Sequence, residues 1–337
     1  MTERKLATIR MIDQIVPIPD ADYVELARVG GWDVVVKKGQ FEVGNLAIYI
    51  EIDSWVPLKV APFLAKGKEK TFNGVVGERL RTKKLRGFFS QGLLLDLVAD
   101  DDCPPPDVDT DLTEYLGIQL YEKPIPTCLA GMAKGNFPPY IKKTDQERIQ
   151  NLKAKYAQWQ EEGTQWEVTE KLDGSSMTVY QHQGTFGVCS RNIDLKQTEG
   201  NTFWDVAIRE NIHMEMFNKD ESWDFAIQGE LCGPGIQGNQ YNLTKPQFFV
   251  YDIFDIQTQE YLLPHDRKVL CEELGLKHVP VIWETAGIKQ EMSETLYQAQ
   301  GESELNGTHR EGLVFKSLSN TGESFKVINN EWLLKYD

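Results

Sequence analysis

The sequence predicts an α+β protein in two parts, a small closed β-barrel followed by a larger domain of mixed strands and helices. Three observations carry that expectation. The first hundred residues alternate short apolar runs with turn residues. A stretch of prolines and acids, "ADDDCPPPDVDTD" (99–111), then interrupts any sheet. Beyond Trp166, strand patterns alternate with shorter helical ones.

Within the first part, "YVELARVGGWDVVVKKG", "NLAIYIEIDSWVP" and "RLRTKKLRGFFSQGLLLDL" read as strands. "LAIYIEID" alternates apolar and polar residues, and Gly30-Gly31 and Lys38-Gly39 supply turn material. An OB-fold is one closed barrel of this size. The expected division is 1–118 for the OB-like barrel and 119–337 for the α+β domain. Next comes "FPPYIKKTDQERIQNLKAKYAQWQEEG". Thr144 and Glu147 have the spacing of a capping box, and Ile149, Leu152 and Tyr156 follow at helical intervals.

Composition bounds the function. Hydrophobic content is 41% with eight Trp, enough for packed cores, and no apolar run approaches the ~20 residues that span a bilayer. "MTERKLATIRMIDQ" lacks the apolar segment of a signal peptide. Cys103, Cys128, Cys189, Cys232 and Cys271 form no C-x-x-C pair, which argues against a zinc site or a disulfide framework. A cytoplasmic protein is expected. A net charge of −15 opposes a basic nucleic-acid footprint over the whole molecule. Charge is local, however. Lys66 to Arg86 holds eight basic and two acidic residues, including Lys83, Lys84 and Arg86. That run is either a solvated loop or a ribbon that contacts phosphates.

"WEVTEKLDGSSMTVY" (166–180) places Lys171 in a strand that enters an Asp-Gly turn. Asp and Ser bond their own backbone in turns, and Gly174 tolerates a positive φ. Lys-x-Asp-Gly alone occurs by chance in on the order of 5–10% of chains this long. It has companions in a fixed order. Arg191 follows in "SRN", Glu230 in "AIQGEL", Tyr251 in "FFVYDIF", Glu311 and Lys316 in "EGLVFK", and Lys326 in "SFKVIN".

This series resembles the covalent nucleotidyltransferase superfamily of polynucleotide ligases and mRNA capping enzymes. "LRTKKLRGFFSQGLLL" and "TDQERIQN" further resemble the ATP-dependent RNA ligases with an N-terminal OB domain, the family typified by the Deinococcus nick-sealing ligase. The resemblance implies an adenylyltransferase domain after the barrel and a reaction in three steps. A lysine takes AMP from ATP, the AMP passes to an RNA 5′-phosphate, and a 3′-OH displaces it. Lys171 matches the nucleophile. A lysine of ordinary pKa, ~10.4, is nearly all protonated at pH 7, so its environment must shift it. Arg191, Lys316 and Lys326 are the implied cations around the phosphate.

The resemblance further implies that Asp173, Glu230 and Glu311 hold Mg²⁺ or Mn²⁺, partly through water. The ribose is an alternative partner for Glu230. Tyr251 is implied to stack on adenine, and Glu170 to help read the base. Some family members carry two lysines in the last motif; here only Lys326 is present, so either Lys316 takes the second role or phosphate contact is lighter. The implied partner is RNA, with no membrane, and the chain is expected to act as a monomer. The alternatives are a DNA ligase, a capping-type nucleotidyltransferase, or an inactive RNA-binding OB protein. The first two usually place an OB domain after the transferase domain, whereas only eleven residues follow Lys326 here. Loss of activity is expected to erase the nucleophile or an acidic partner first, and all are present.

Overall fold

The computed structural model describes residues 4–65, 67, 69–97, 103–122 and 131–336. Lys66, Lys68, residues 99–102 and Cys128 lie outside them. The chain divides into two compact units, 1–124 with 333–337, and 125–332.

The first unit is built of β1 (Ala7–Met11), β2 (Gln14–Pro17), β3 (Val24–Val29), β4 (Trp32–Lys37), β5 (Leu46–Ile50), β6 (Ser54–Pro57), β7 (Lys70–Phe72), β8 (Val75–Arg79), β9 (Lys83–Leu85), β10 (Phe88–Ser90), β11 (Leu93–Leu95) and β12 (Gln119–Leu120). They pair as β1-β5-β11, β2-β3-β4, β12-β6-β8-β7 and β10-β9. Ile9, Ile48, Ile50, Val56 and Leu112 fill the interior, as the alternation of "LAIYIEID" predicts. β12 pairs with β6, so the barrel's pairing runs two residues past the division expected at 118.

The end of the basic run, Lys83–Leu85, pairs with Phe88–Ser90 in a hairpin, with Lys84 opposite Phe89 and Leu85 opposite Phe88. Arg86 and Gly87 both take positive φ at its tip, 51° and 87°, the backbone that suits the twist of a two-residue hairpin loop. Lys83, Lys84 and Arg86 are exposed.

The second unit has two sheets. Its strands are β13 (Ala133–Asn136), β14 (Glu147–Arg148), β15 (Trp166–Lys171), β16 (Ser175–His182), β17 (Thr185–Ser190), β18 (Ile193–Leu195), β19 (Phe225–Cys232), β20 (Gln247–Asp255), β21 (Glu260–Tyr261), β22 (Lys277–His278), β23 (Val281–Ala286), β24 (Gly312–Ser317) and β25 (Ser324–Ile328). The larger sheet runs β13-β18-β17-β16-β19-β20-β21, with β22 also on β20; the smaller runs β14-β25-β24-β15-β23. Helices Thr202–Arg209 and Ile212–Lys219 cover the larger sheet with Phe203, Val206, Ile212 and Met216. Helix Lys153–Glu162 covers the smaller with Tyr156 and Trp159, and Trp159 stacks on Phe325 at 5.3 Å.

That helix begins later than its sequence suggests. Lys153 opens it, and Leu152 precedes it without a side-chain cap. Thr144 and Glu147 form no capping box. The Thr144 hydroxyl donates to Gln228 Oε1 at 2.5 Å, and Glu147–Arg148 pairs in parallel with Phe325–Lys326. Sheet pairing takes the backbone that the cap would have needed. At the other end Gly163 closes the helix in the left-handed region, φ 65°.

Candidate active site

Lys171 is the last residue of β15 in the smaller sheet, and Ser175 is the first of β16 in the larger. The turn between them carries the chain from one sheet to the other. Leu172 anchors it in a cluster with Cys232, Tyr241, Phe249 and Val279. The Asp173 amide donates to the Tyr241 hydroxyl at 2.7 Å, and Gln240 Nε2 donates to Asp173 Oδ2. Gly174 does not use the positive φ that a glycine tolerates. A Cβ there would lie 2.4 Å from the Leu231 carbonyl and 3.0 Å from Glu230 Cγ. The glycine therefore lets the turn approach β19 closely, bringing Glu230 to the lysine.

Pairing brings the other acid. Lys171 sits opposite Gly312, so Glu311 flanks it, and Lys171 Nζ donates to Glu311 Oε1 at 2.7 Å. Glu311 Oε2 is buried and has no hydrogen-bond partner among the described residues. Glu230 lies one strand from the crossing, opposite Ser176.

Burial works to strip the proton from Lys171, but Glu311, Glu230 and Asp173 outweigh it and hold the lysine above its ordinary range. Burial, and then Glu311 and Asp173, push Glu230 up to about 8 against the pull of Lys171. Without nucleotide, the lysine thus stays protonated, contrary to the depressed pKa that a nucleophile requires.

A second group of charges lies toward β25. Lys326 Nζ donates to Asp145 Oδ1 at 3.1 Å, and the Arg191 guanidinium stands 3.7 Å from Asp145 Oδ2. Lys326 is 16% exposed and Arg191 54%. These are two of the three expected cations.

Lys316, the third, is placed differently. It is buried, and its Nζ donates to the Asp252 carboxylate and to the Tyr251 carbonyl at 2.5 Å. Arg267 lies 3.8 Å from the same Asp252 oxygen and donates to the fully buried Glu167, while its Nε donates to His278 Nε2 at 3.0 Å. Burial, then the Arg267 charge, push Lys316 to about 8 and His278 to about 3, against the pull of Asp252 on the lysine.

Tyr251 sits above this network. The pairing of β19 and β20 shifts register between Gln228 and Gly229, so Tyr251 has no Cα partner on β19. Such a bulge re-aims a side chain. The ring is half-buried, 5.7 Å from Lys316 Nζ, and its hydroxyl lies 3.2 Å from Ser176 Oγ. Glu170 is buried: its Oε2 accepts from the Glu304 amide at 2.9 Å, and its Oε1 has no partner within the protein. Burial raises its pKa, with Ser303, the Glu304 amide and Arg310 opposing.

The structure therefore brings together Lys171, Asp173, Glu230 and Glu311 at the crossing and Arg191 with Lys326 beside Asp145, and puts Lys316 beneath Tyr251. Sequence reasoning missed Asp145, Glu167, Asp252 and Arg267. Only Asp252, adjoining Tyr251 in an apolar strand, carried a sequence signal.

A family model described as RNA ligase matches residues 164–328, and another described as an OB-fold domain matches residues 6–97. No curated protein matches the sequence. Among solved structures, a mutant Naegleria gruberi RNA ligase in its apo form superimposes with TM-score 0.91 at 40% identity, covering 100% of this chain and 99% of that one. A mutant of that organism's RNA ligase with ATP and Mn gives 0.89 at 40% identity, over 98% and 99% of the two chains. Its RNA ligase with PPi gives 0.89 at 40% identity over 99% of both. Identity of that order over essentially the full length of both chains joins the barrel and the lysine crossing to one lineage, and the chain belongs to the RNA ligase family.

Proposed function

We propose that this protein is an ATP-dependent RNA ligase that seals a 3′-OH to a 5′-phosphate through lysyl-AMP and RNA-adenylate intermediates. One observation carries the reading: Lys171 meets Glu311 at 2.7 Å on the turn that crosses between the two sheets, with Glu230 alongside.

In the first step the neutral Lys171 amine attacks the α-phosphorus of ATP, the bond to the bridging oxygen breaks, and pyrophosphate leaves. Arg191 and Lys326 hold the α-phosphate oxygens and offset the charge that builds on them. Next, a 5′-phosphate oxygen attacks the same phosphorus and Lys171 departs. In the last step the 3′-OH attacks the 5′-phosphorus, loses its proton and releases AMP. Tyr251 stacks on adenine and Glu170 lines the base. Lys316 serves the nucleotide by fixing Tyr251, and the phosphate is held by fewer protein cations than in relatives with two lysines in the last motif.

The protonated state of Lys171 in the nucleotide-free protein is the barrier to the first step. The acids suit a hydrated divalent cation, since Glu311 has an oxygen with no partner in the protein. Among the described residues no three Asp, Glu, His or Cys side chains form a ready metal cage. Glu311, Glu230 and Asp173 would hold Mg²⁺ or Mn²⁺, which when bound neutralises the carboxylates that keep the proton on Lys171 and lowers its pKa.

Of the two domains, divided between Leu120 and Met132, the barrel contacts RNA phosphates through Lys83, Lys84 and Arg86. Among the described residues no helix is long and apolar enough to cross a membrane, and Cys103, Cys189, Cys232 and Cys271 are free. Free thiols suit a reducing compartment, and we read the protein as a cytoplasmic monomer.

The test is sealing of nicked duplexes that differ in the sugar at the 3′-OH. Ribose there is expected to be required, because a site that bonds the 2′-OH loses roughly 1–3 kcal/mol when that hydroxyl is missing. Equal sealing of an all-DNA nick would make the protein a DNA ligase. Absence of covalent label from α-labelled ATP would make it an RNA-binding protein.

A further inference from the structure

Asp145 lies between the two cations assigned to the α-phosphate, 3.1 Å from Lys326 Nζ and 3.7 Å from the Arg191 guanidinium. Its position is set from both sides. Upstream, the Lys142 carbonyl accepts from Gln228 Nε2 at 2.9 Å and from the Tyr261 hydroxyl at 3.0 Å, and Thr144 donates to Gln228. Lys143 Nζ donates to Asn192 Oδ1 at 2.8 Å, beside Arg191. Downstream, Glu147–Arg148 is paired to Phe325–Lys326. The backbone on one side of Asp145 is thus held to the larger sheet and on the other to the smaller. The carboxylate between these anchors is 51% exposed.

We propose that Asp145 is a built-in stand-in for phosphate. Its carboxylate holds Arg191 and Lys326 at phosphate-binding spacing in the free enzyme, yields them when nucleotide enters, and takes them back as AMP leaves. The inference rests on reading Arg191 and Lys326 as phosphate ligands. A carboxylate and a phosphate offer the same kind of oxygen to the same N–H donors, so the two compete. At 3.7 Å the Arg191 contact is longer than a hydrogen bond, and exposed ion pairs are weak, so phosphate displaces the carboxylate readily. Because the strap is pinned, the displaced charge stays nearby. It keeps repelling the bound phosphate, which weakens AMP binding and speeds release.

The experiment is calorimetric titration of AMP into the full-length protein, wild type against Asp145→Asn, Asp145→Ser and Asp145→Glu. The expected result is roughly two- to fivefold tighter AMP binding in Asp145→Asn and Asp145→Ser, as loss of one exposed charge pair implies. Asp145→Glu keeps the charge and should stay near wild type. The KM for ATP in lysine adenylylation should fall in the two neutral variants, while multiple-turnover sealing slows because AMP leaves later. A residue that only braced the strap would instead raise KM. Unchanged or weaker AMP binding in whichever neutral variant keeps the wild-type unfolding temperature overturns the proposal. Wild-type protein that is folded yet binds no AMP overturns the nucleotide reading itself, and the proposal with it.

Discussion

Two groups of charge flank the candidate nucleotide site, and they differ in how firmly each is held. Beneath Tyr251, Lys316, Asp252, Arg267 and Glu167 are buried and bonded to one another. Around the proposed phosphate position, Lys171, Arg191 and Lys326 remain 28%, 54% and 16% exposed, Lys171 against Glu311 and the other two sharing Asp145. The buried group cannot exchange partners without stranding a charge in a low-dielectric interior. The exposed group can, at little expense. On the proposed function, the base would be met by a fixed surface and the phosphates by charges that can trade carboxylates for phosphate oxygens. Position in the sequence did not separate these classes, since all three expected cations lie in motifs of similar appearance.

The largest effect should come from the exchangeable side. Lys171→Ala should abolish covalent AMP transfer from α-labelled ATP while leaving the fold intact. Covalent adenylate on another residue would reassign the nucleophile.

On the fixed side, Lys316→Met should destabilise the protein by about 3 kcal/mol, because removing one partner strands Asp252. Adding Asp252→Asn should recover part of that loss. Chemical denaturation of the single and double variants measures both effects, and equal stability of Lys316→Met and wild type would place Lys316 among the exchangeable charges.

Glu230 lies between the extremes. Its folded pKa of about 8 is above the ordinary carboxylate value, so the folded state holds a proton that the unfolded state has lost. Stability from this group is complete below the unfolded pKa and is lost as pH rises toward 8. Glu230→Gln should therefore raise the unfolding temperature of the nucleotide-free protein by a few degrees at pH 8.5 and by much less at pH 5. It should also weaken adenylylation. A gain of the same size at both pH values would show that Glu230 is not titrating.

The smallest effect is expected where charge is most exposed. Replacing Lys83, Lys84 and Arg86 with serine should lower sealing a few-fold at moderate salt and flatten the salt slope by about one unit per lost phosphate contact. An unchanged slope would return the hairpin to plain solvated surface.

The same contrast explains how much was legible in the sequence. The barrel's alternating strands and the convergence of Lys171, Glu230 and Glu311 follow from local pattern and motif order. The buried network does not. Arg267 and Glu167 are 100 residues apart, and in a helix such as "PHDRKVLCEE" an arginine reads as surface. Thr144 and Glu147 were misread because a capping box is judged from four residues, while the competing parallel pairing with β25 lies far along the chain. Gly174 was read for its backbone freedom, and its role is the space it leaves for Glu230.

The place of β25 has a consequence for how the enzyme is made. Among the described residues it is the last strand in sequence, yet it lies inside the smaller sheet, between β24 and β14. Lys326 meets Asp145 across 181 residues. While a ribosome is still adding the second unit, β14 and β24 wait as open edges. The nucleophile has by then emerged long before the strand that supplies Lys326. Pairings of such long range form slowly. Until β25 has been made, a nascent chain therefore carries Lys171 without Lys326, one of the two cations proposed to hold the phosphate.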